Sequence, residues 1–306
     1  MKNFAFYITN IGKSLIPKYF FQRKLSYWLK KESNFSSTEI KERLSHYIQN
    51  EHGKLATDAI LLNDFKRPKR RTMYYYDLVQ YTRYFKNHLK IKFKFGDVQE
   101  NQETLTIVKS RPINHSGNSV LMKLDTLRHY YFVNDKTPYH QKESKIVWRG
   151  VIHKENRRSL VKKFHKHPKC NIGNIPLHEE TTIWEKPFLS IEEQLQYKFI
   201  LSIEGNDVAT NLKWIMSSNS LCFMPTPKFE TWYMESKLIP NVHYVHIKDD
   251  YSDMLEKMEY YATNESDAQE IVKNAQAWVA RFQNKKFEKF LSLKVLEAYF
   301  KATNQI

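Results

Sequence analysis

The sequence has few glycines and few cysteines. Its 306 residues include seven glycines, all far apart, and two cysteines. A Gly-rich dinucleotide fingerprint and a P-loop are therefore absent. Cys170 and Cys222 are too few and too widely spaced for a disulfide framework or a Cys/His zinc site. No Asp-x-Asp follows a predicted strand, so we expect no metal site and no catalytic metal.

Acidic residues are missing from the beginning of the chain. The first one is Glu32, and seven lysines and arginines precede it, with aromatic residues between them. This composition is typical of surfaces that lie on anionic lipid headgroups. A solvated basic face with an aromatic inner side is the alternative. The whole chain has 49 Lys+Arg against 33 Asp+Glu, a formal charge of +16, which favours anionic partners.

Long hydrophobic runs are also absent. No stretch approaches the roughly 18 apolar residues of a membrane span. No basic segment leads into an uninterrupted apolar core, so a secretory signal is not predicted. We interpret the chain as cytoplasmic and leave open a peripheral contact with a membrane.

What the sequence does contain is a regular alternation of strand and helix patterns in its second half. The predicted strands there are "KIVWRG", "FILSIEG", "SLCFMP" and "VHYVHIK", and the predicted helices are "NRRSLVKKFHKH", "VATNLKWIMSS", "FETWYMESKL" and "DYSDMLEKMEYYAT". In the first half, "LKIKFKFGD", "TLTIVKS" and "HYYFVND" are predicted strands, and "STEIKERLSHYIQ" is a predicted helix capped by Ser37. The alternation predicts an α/β fold with a parallel sheet.

In such sheets ligands bind beyond the carboxyl ends of the strands. Arg149 lies at one predicted strand end, and Arg157 and Arg158 begin the next helix. Cations at a helix start oppose the helix dipole, so a bound diphosphate would explain them; a solvated helix start is the alternative. Glu204, before Gly205, could accept hydrogen bonds from sugar hydroxyls, or the turn could have no chemical role. Asp97 could take a proton from an acceptor hydroxyl, although an Asp after Gly is commonly a turn residue.

Several segments resemble the proteins of glycosyltransferase family 90, which contains lipopolysaccharide-modifying enzymes and protein O-glucosyltransferases. They are "IVWRG", "LSIEGNDVATNLKWIMSSNSLCFMP", "FETWYMESKLIPNVHYVHIKDDYSDMLEKMEYY" and "AQEIVKNAQAWVARF", and the resemblance is strongest to the bacterial lipopolysaccharide branch. It implies a GT-B fold of two facing Rossmann-like domains and inverting, metal-independent transfer from a UDP-sugar.

The resemblance also implies roles for individual residues. Asp97 matches the family's base, and the donor site would include Arg149, Gly150, Arg157, Glu204, Gly205 and Asn206. Protein O-glucosyltransferases have an Arg in the following helix where this chain has Asn211. Lys213 could supply that charge instead.

The sequence therefore predicts an acceptor-side domain over residues 1–143, a nucleotide-sugar-binding domain over 144–284 and a C-terminal helix over 285–306 that could return to the first domain. The predicted function is transfer of a hexose, glucose or galactose, from a UDP-sugar to a lipopolysaccharide or lipooligosaccharide core. No cofactor and no nucleic acid are expected, and an anionic surface such as the inner membrane is a candidate partner. The alternatives are a protein or capsule acceptor and, from another class, a basic nucleic-acid-binding protein.

Overall fold

A computed structural model describes residues 2–175 and 182–306 of the chain. The chain divides into two units. The first consists of Met1–Tyr130, Phe229–Met234 and Phe282–Ile306, and the second of Tyr131–Lys228 and Glu235–Arg281. The C-terminal segment is thus part of the first unit. In the described part of the chain, no helix is both long and apolar enough to cross a membrane.

The helices are α1 (Lys2–Ser14), α2 (Lys18–Gln22), α3 (Leu25–Leu29), α4 (Ser37–Tyr47), α5 (Thr72–Thr82), α6 (Thr126–His129), α7 (Glu155–Phe164), α8 (Ile191–Gln194), α9 (Leu212–Met216), α10 (Met254–Thr263), α11 (Glu265–Ala280) and α12 (Lys285–Ala302). Short 3-10 helices span Lys30–Asn34, Tyr139–Gln141 and Glu235–Lys237.

The strands are β1 (Ile60–Leu61), β2 (Lys90–Ile91), β3 (Phe93–Lys94), β4 (Thr106–Val108), β5 (Ser110–Pro112), β6 (Ser119–Leu121), β7 (Glu143–Gly150), β8 (Cys170–Asn174), β9 (Tyr197–Leu201), β10 (Leu221–Met224), β11 (Phe229–Thr231) and β12 (Val245–His246).

The second unit is built on a five-stranded sheet in the order β12-β10-β9-β7-β8, and every adjacent pair is parallel. Strands β9 and β10 are almost continuous apolar runs, and the centre of β7 is apolar, because both faces of such a sheet are covered. Ile146, Phe199 and Phe223, from three of these strands, are fully buried in one apolar cluster. The α/β class and the parallel sheet predicted from the sequence are confirmed.

Helix α7 shows why this layer forms. Leu160, Val161 and Phe164 recur on one side of the helix and are buried against the sheet cluster, whereas Arg158 and Lys162 are exposed. This spacing is that of an amphipathic helix with one core-facing side. The helix therefore fixes the segment that directly follows the end of β7.

The first unit contains a three-stranded parallel sheet, β3-β4-β6, and two antiparallel pairs, β1-β2 and β5-β11. The carboxyl ends of β3 and β4 are neighbours in this sheet. Helix α12 begins at the cap residue Asn284, whose side-chain oxygen accepts hydrogen bonds from the N–H groups of Lys286 and Phe287. This cap separates α12 from α11.

Three local predictions were wrong. "FETWYMESKL" is not a helix, because Phe229–Thr231 pairs with β5 and Met234 has a positive φ of 60°. "HYYFVND" forms no strand; the N–H of Val133 binds the Ser217 hydroxyl at 2.9 Å instead of a neighbouring strand. Ser36, not Ser37, caps α4, with its hydroxyl accepting from the N–H of Glu39.

Candidate functional site

The order of the second sheet creates a crevice between β7 and β9. The chain runs from β7 outward to β8 and then returns to the opposite side of β7 to form β9. This is the strand order of a doubly wound sheet, and the carboxyl ends of the two strands flanking the reversal are its usual ligand site. Arg149 and Gly150 end β7, and Ile203 and Glu204 lie just beyond β9.

A cavity of about 330 Å³ lies at this position, and we call it the switch-point cavity. It combines aromatic and aliphatic walls with two guanidinium groups, a composition typical of small-molecule sites. Its lining residues are Trp148, Arg149, Gly150, Val151, Arg157, Ile175, Phe188, Leu189, Ile191, Gln194, Ile203, Ala209, Thr210, Asn211 and Trp214. Four of the predicted donor-site residues, Arg149, Gly150, Arg157 and Asn211, are among them.

Arg149 is held by neutral oxygen atoms. Its Nε donates to the carbonyl of Pro187 at 2.8 Å, and Nη1 donates to the carbonyls of Trp148 and Asn171 at 3.0 and 2.7 Å. Its Nη2 donates to the side-chain oxygen of Asn171 at 2.8 Å. Burial lowers the pKa of Arg149 from its ordinary value. The side chain is therefore fixed at the cavity wall by the strand next to it.

Arg157 links the ends of β7 and β9. Its Nε donates to the carbonyl of Glu204 at 3.1 Å, Nη2 to that of Ile203 at 2.8 Å, and Nη1 to that of Val151 at 3.3 Å. An arginine has five N–H groups, so these bonds leave two for a ligand. Burial lowers the pKa of Arg157. Its guanidinium carbon also lies 5.7 Å from the centre of the Trp148 ring.

Within the described residues, neither guanidinium forms a close ion pair with a carboxylate. Burial lowers the pKa of Arg157 by more than the charge of Glu204 raises it. Among residues 2–175 and 182–306, no Asp or Glu oxygen lies within 4.0 Å of the Arg149 or Arg157 nitrogens. Partly buried cations that contact only carbonyl and amide oxygens are costly unless a counter-charge completes them. An anionic ligand in the switch-point cavity would supply that charge through guanidinium hydrogen bonds.

Two glycines keep this site open. A Cβ on Gly150 would lie 2.6 Å from the Trp148 ring, and a Cβ on Gly205 would lie 3.0 Å from Nη2 of Arg157. The Gly205 N–H donates to the carbonyl of Asp207 at 3.0 Å, which closes a tight turn around Asn206. The glycines are therefore explained by close approach of side chains at the cavity wall.

Glu204 faces a second, smaller cavity of about 70 Å³. Its carboxylate accepts from the N–H of Lys228 at 3.2 Å, and the Lys228 ammonium lies 3.0 Å from Asp249. Ser202 and Thr226 also line this cavity, and both cavities share Ile203 and Ala209. Hydroxyl, carboxylate and ammonium groups of this kind can bind sugar hydroxyls through hydrogen bonds.

The remaining predicted donor residues have mainly structural contacts. The Asn211 side chain donates to the carbonyl of Leu201 at 2.9 Å and so ties α9 to β9. Lys213 is fully buried, and its ammonium lies 2.7 Å from the Glu235 carboxylate. A diphosphate contact from Lys213 stays a prediction, and this buried ion pair does not favour it.

Asp97 lies in the first unit, where β3 ends. Gly96 has a φ of 112°, and a Cβ there would collide with the Arg71 guanidinium, so the turn before Asp97 requires glycine. The Asp97 carboxylate lies 2.7 Å from the ammonium of Lys109, which follows β4 and is buried. The lysine fixes the orientation of the carboxylate.

Sequence reasoning missed Lys109 as the partner of Asp97. The signal was present, because Asp97 and Lys109 each follow one of two neighbouring parallel strands, whose carboxyl ends meet at one sheet edge. It also missed Trp148 and Trp214 at the switch-point cavity and Asn171, which holds Arg149. Nothing in the local pattern marks the two tryptophans, because apolar strand and helix residues are normally core. Asn171 shows its role only through its contact with Arg149.

No group of three or more His, Cys, Asp or Glu residues in 2–175 and 182–306 is arranged to hold a metal ion. The expectation of metal-independent chemistry stays a prediction. Cys170 and Cys222 are buried thiols, and burial raises the pKa of Cys170 to about 12.

Residues 120–304 match the family model described as "Glycosyl transferase family 90". A curated relative, O-glucosyltransferase LpsA of Dichelobacter nodosus, is 45% identical over 228 residues, which cover 74% of this chain and 72% of the relative. The chain belongs to glycosyltransferase family 90. The predicted family and the prediction of an enzyme are confirmed, and the nucleic-acid-binding alternative is not favoured.

More distant relatives occur in animals. Protein O-glucosyltransferase 3 of Rattus norvegicus is 28% identical over 141 residues, covering 44% of this chain and 27% of the relative. Protein O-glucosyltransferase 2 of Danio rerio is 24% identical over 185 residues, covering 51% of this chain and 34% of the relative. Arg149, Arg157 and Glu204 lie within the range that matches the family model, whereas Asp97 precedes it.

Proposed function

We propose that this family 90 glycosyltransferase moves a hexose from a UDP-sugar to a lipopolysaccharide or lipooligosaccharide core, with inversion at the anomeric carbon. The observation that supports it most is the pair of arginines at the switch-point cavity, Arg149 and Arg157, whose close contacts among the described residues are to carbonyl and amide oxygens and not to carboxylates. A nucleotide diphosphate is the anion that this position in a doubly wound sheet suits best.

In this proposal the leaving group is stabilised by the second unit. As the bond between the anomeric carbon and the diphosphate breaks, negative charge grows on the phosphate oxygens. The two remaining N–H groups of Arg157 and the positive charge of Arg149 would stabilise it in the transition state. Glu204 and Lys228, at the smaller cavity, are the candidates for contacts with the hexose hydroxyls.

The acceptor is activated by Asp97. Its carboxylate takes the proton of the acceptor hydroxyl while that oxygen forms the new bond to the anomeric carbon, and UDP departs from the opposite face. The Lys109 ammonium orients the carboxylate at 2.7 Å. The GT-B arrangement of two facing Rossmann-like domains is part of the proposal.

The names of the relatives guide the choice of sugar and acceptor. Both the bacterial and the animal proteins are called O-glucosyltransferases, which favours UDP-glucose as the first donor to test, with UDP-galactose second. A lipid-linked acceptor and a nucleotide donor would meet at the cytoplasmic face of the inner membrane, and we place the enzyme there. The animal relatives, which are named protein O-glucosyltransferases, support a protein acceptor as the second candidate.

The test is a thermal shift of the full chain with UDP, in the presence and absence of EDTA, with uridine as the control that lacks phosphates. Binding to the native state alone should raise the unfolding free energy by about 2.7 kcal/mol at a hundredfold excess over Kd. We expect UDP to stabilise in EDTA and uridine to do so much less. A shift that needs magnesium or manganese would contradict the metal-independent mechanism. Equal shifts with UDP and uridine would contradict the diphosphate site.

A screen of UDP release then identifies the donor. UDP-glucose, UDP-galactose and GDP-mannose are compared with a lipooligosaccharide core as acceptor and with a peptide as control. We expect release from one UDP-hexose that depends on the core. Transfer to the peptide alone would replace the proposed acceptor by the protein alternative.

A further inference from the structure

Helix α1 is apolar on two sides. Its inner side contacts the rest of the first unit: the Phe6 and Tyr7 rings lie 6.3 and 5.8 Å from the ring of Tyr76. The Tyr7 hydroxyl lies 3.1 Å from that of Thr72, and Asn10 is buried. These contacts place the inner side of the helix against α5.

The outer side is apolar as well. Phe4, Ile8 and Ile11 follow each other at helical spacing, and Leu15, directly after the helix, continues that spacing. Their exposed fractions are 72%, 53%, 47% and 81%. A helix that only covers a core has polar residues on its solvent side. The core therefore does not explain this stripe.

Helices α2 and α3 repeat this arrangement. Lys18 and Gln22 donate to the carbonyls of Leu62 and Phe85, and the Phe21 ring lies 5.4 Å from Tyr84, so α2 is held to the first unit. Other apolar side chains of this segment face solvent. Of the fourteen exposed large hydrophobic residues in the described part of the chain, eight lie in its first 27 residues: Phe4, Ile8, Ile11, Leu15, Ile16, Tyr19, Phe20 and Tyr27.

Cations surround these apolar groups. Lys13, Arg23, Lys24 and Lys30 are exposed, and no Asp or Glu precedes Glu32. Lys289 of α12 lies 4.1 Å from the Trp28 ring. Burial, together with the charges of Lys13 and Lys24, lowers the pKa of Lys289 to about 8. The segment is therefore a crowded cationic surface that an anion would stabilise.

We propose that the exposed apolar side chains and cations of residues 4–31, the N-terminal surface, form a docking surface for an anionic lipid bilayer. The apolar side chains enter the interface, and the lysines and arginines lie at the headgroup phosphates. A second copy of the chain would bring two cationic surfaces together, which is unfavourable. Nucleic acid would supply the anions but no apolar medium for Ile8, Ile11 and Leu15.

This inference adds to the proposed function by naming the surface that would hold the enzyme beside a lipid-linked acceptor. It is tested by binding to vesicles, without sugar transfer. A failure of docking would thus leave the donor reaction intact, and an inactive enzyme could still bind vesicles.

The first experiment is co-sedimentation of the full chain with vesicles of phosphatidylcholine, with and without phosphatidylglycerol. We expect binding to the anionic vesicles, weakening as salt rises, and little binding to the neutral ones. Equal binding to both, or binding to neither, would overturn the proposal.

The second experiment compares matched variants. Ile8→Ser/Leu15→Ser removes two outer apolar groups and should weaken vesicle binding about tenfold or more. Ile239→Ser/Val242→Ser makes the same change at exposed positions of the second unit and should leave vesicle binding unchanged. Both variants should melt near the wild-type temperature because the changed side chains are exposed. Equal losses in the two variants would overturn the proposal.

The third experiment addresses charge and the competing partners. Arg23→Gln/Lys24→Gln should weaken binding about 25-fold, since each charge at such a surface contributes about fivefold. Lys162→Gln/Lys166→Gln, an equal change of charge elsewhere, should have little effect. Two outcomes would assign the surface to another partner. One is displacement of the protein from vesicles by a single-stranded oligonucleotide at physiological salt. The other is a protein that does not bind vesicles but forms a dimer, which Ile8→Ser/Leu15→Ser abolishes.

Discussion

Gly205 leaves the space that the Arg157 guanidinium occupies: a Cβ at residue 205 would lie 3.0 Å from Nη2 and 3.1 Å from the guanidinium carbon. Arg157 in turn donates to the carbonyls of Ile203 and Glu204, which directly precede Gly205. Gly205 and Arg157 therefore pack against each other at the end of β9, and each constrains the position of the other.

Gly205→Ala is expected to lower the unfolding free energy by about 1–3 kcal/mol, because the new methyl group overpacks the turn. In an Arg157→Ala background the same change should cost much less, since the colliding side chain is gone. Urea denaturation of the four proteins measures this coupling. Gly12→Ala is the control: nothing lies within 4 Å of a Cβ there, so it should be neutral or stabilise α1. Additive effects of the first two changes would show that the pair is not coupled.

Arg157→Ala should weaken UDP binding and donor kcat/KM more than Arg158→Ala. Successive helix residues point about 100° apart, and only Arg157 lines the switch-point cavity, whereas Arg158 is exposed. Arg157→Ala should also cost about 1–3 kcal/mol of stability by leaving main-chain oxygens without donors. Thermal shift with UDP and steady-state kinetics separate the two effects. Equal donor losses in both variants would place the diphosphate elsewhere.

Asp97→Asn should lower kcat by about 10²- to 10⁴-fold while the UDP thermal shift is retained, because the amide keeps the size but not the basicity of the carboxylate. The buried Lys109 ammonium loses its charged partner, so stability should fall by about 1–3 kcal/mol. Asp58→Asn is the control. Asp58 is an exposed carboxylate of the first unit that also pairs with a lysine, Lys92, so the variant should keep full activity. If Asp97→Asn retains more than about a tenth of the wild-type kcat, Asp97 is not the base.

The lowered pKa of His115 predicts that the protein loses stability in acid. Burial, with a smaller contribution from Arg111, lowers the pKa of His115 to about 4, and its Nδ1 accepts a hydrogen bond from the N–H of Gly117 at 3.0 Å. The native state thus holds the neutral ring, whereas the unfolded chain binds a proton near pH 6.5. The stabilisation is complete above pH 6.5 and is lost as the pH falls towards 4.

At pH 5 we expect this group to reduce the unfolding free energy by about 1–2 kcal/mol relative to pH 7. Urea denaturation of the wild type and His115→Asn at both pH values measures it. Asn keeps an acceptor for the Gly117 N–H, so the variant should lose less stability between the two pH values. An identical pH dependence in both proteins would show that His115 does not titrate in this range.

The sequence determined the elements that depend on local composition. Apolar runs ended by polar or flexible residues correctly predicted β7, β9 and β10, because the centres of strands that are covered on both faces are mostly apolar. The segments "IVWRG" and "EGNDVATNLKW" also indicated the family. Arg157 could be selected as a candidate because a cation at a helix start opposes the helix dipole unless an anion is bound, and Arg149 because it ends the strand before that helix.

The tertiary structure decided which charges remain for a ligand. Lys213, predicted as a diphosphate contact, is buried on Glu235, and Asp97 is oriented by Lys109 from the neighbouring strand. "FETWYMESKL" has a helical pattern, yet its first residues pair with β5. Each of these outcomes depends on a partner far away in the chain. Local propensities amount to a few tenths of a kcal/mol per residue. The hydrogen bonds of a strand ladder, or the cost of leaving one member of a buried ion pair without its partner, outweigh them.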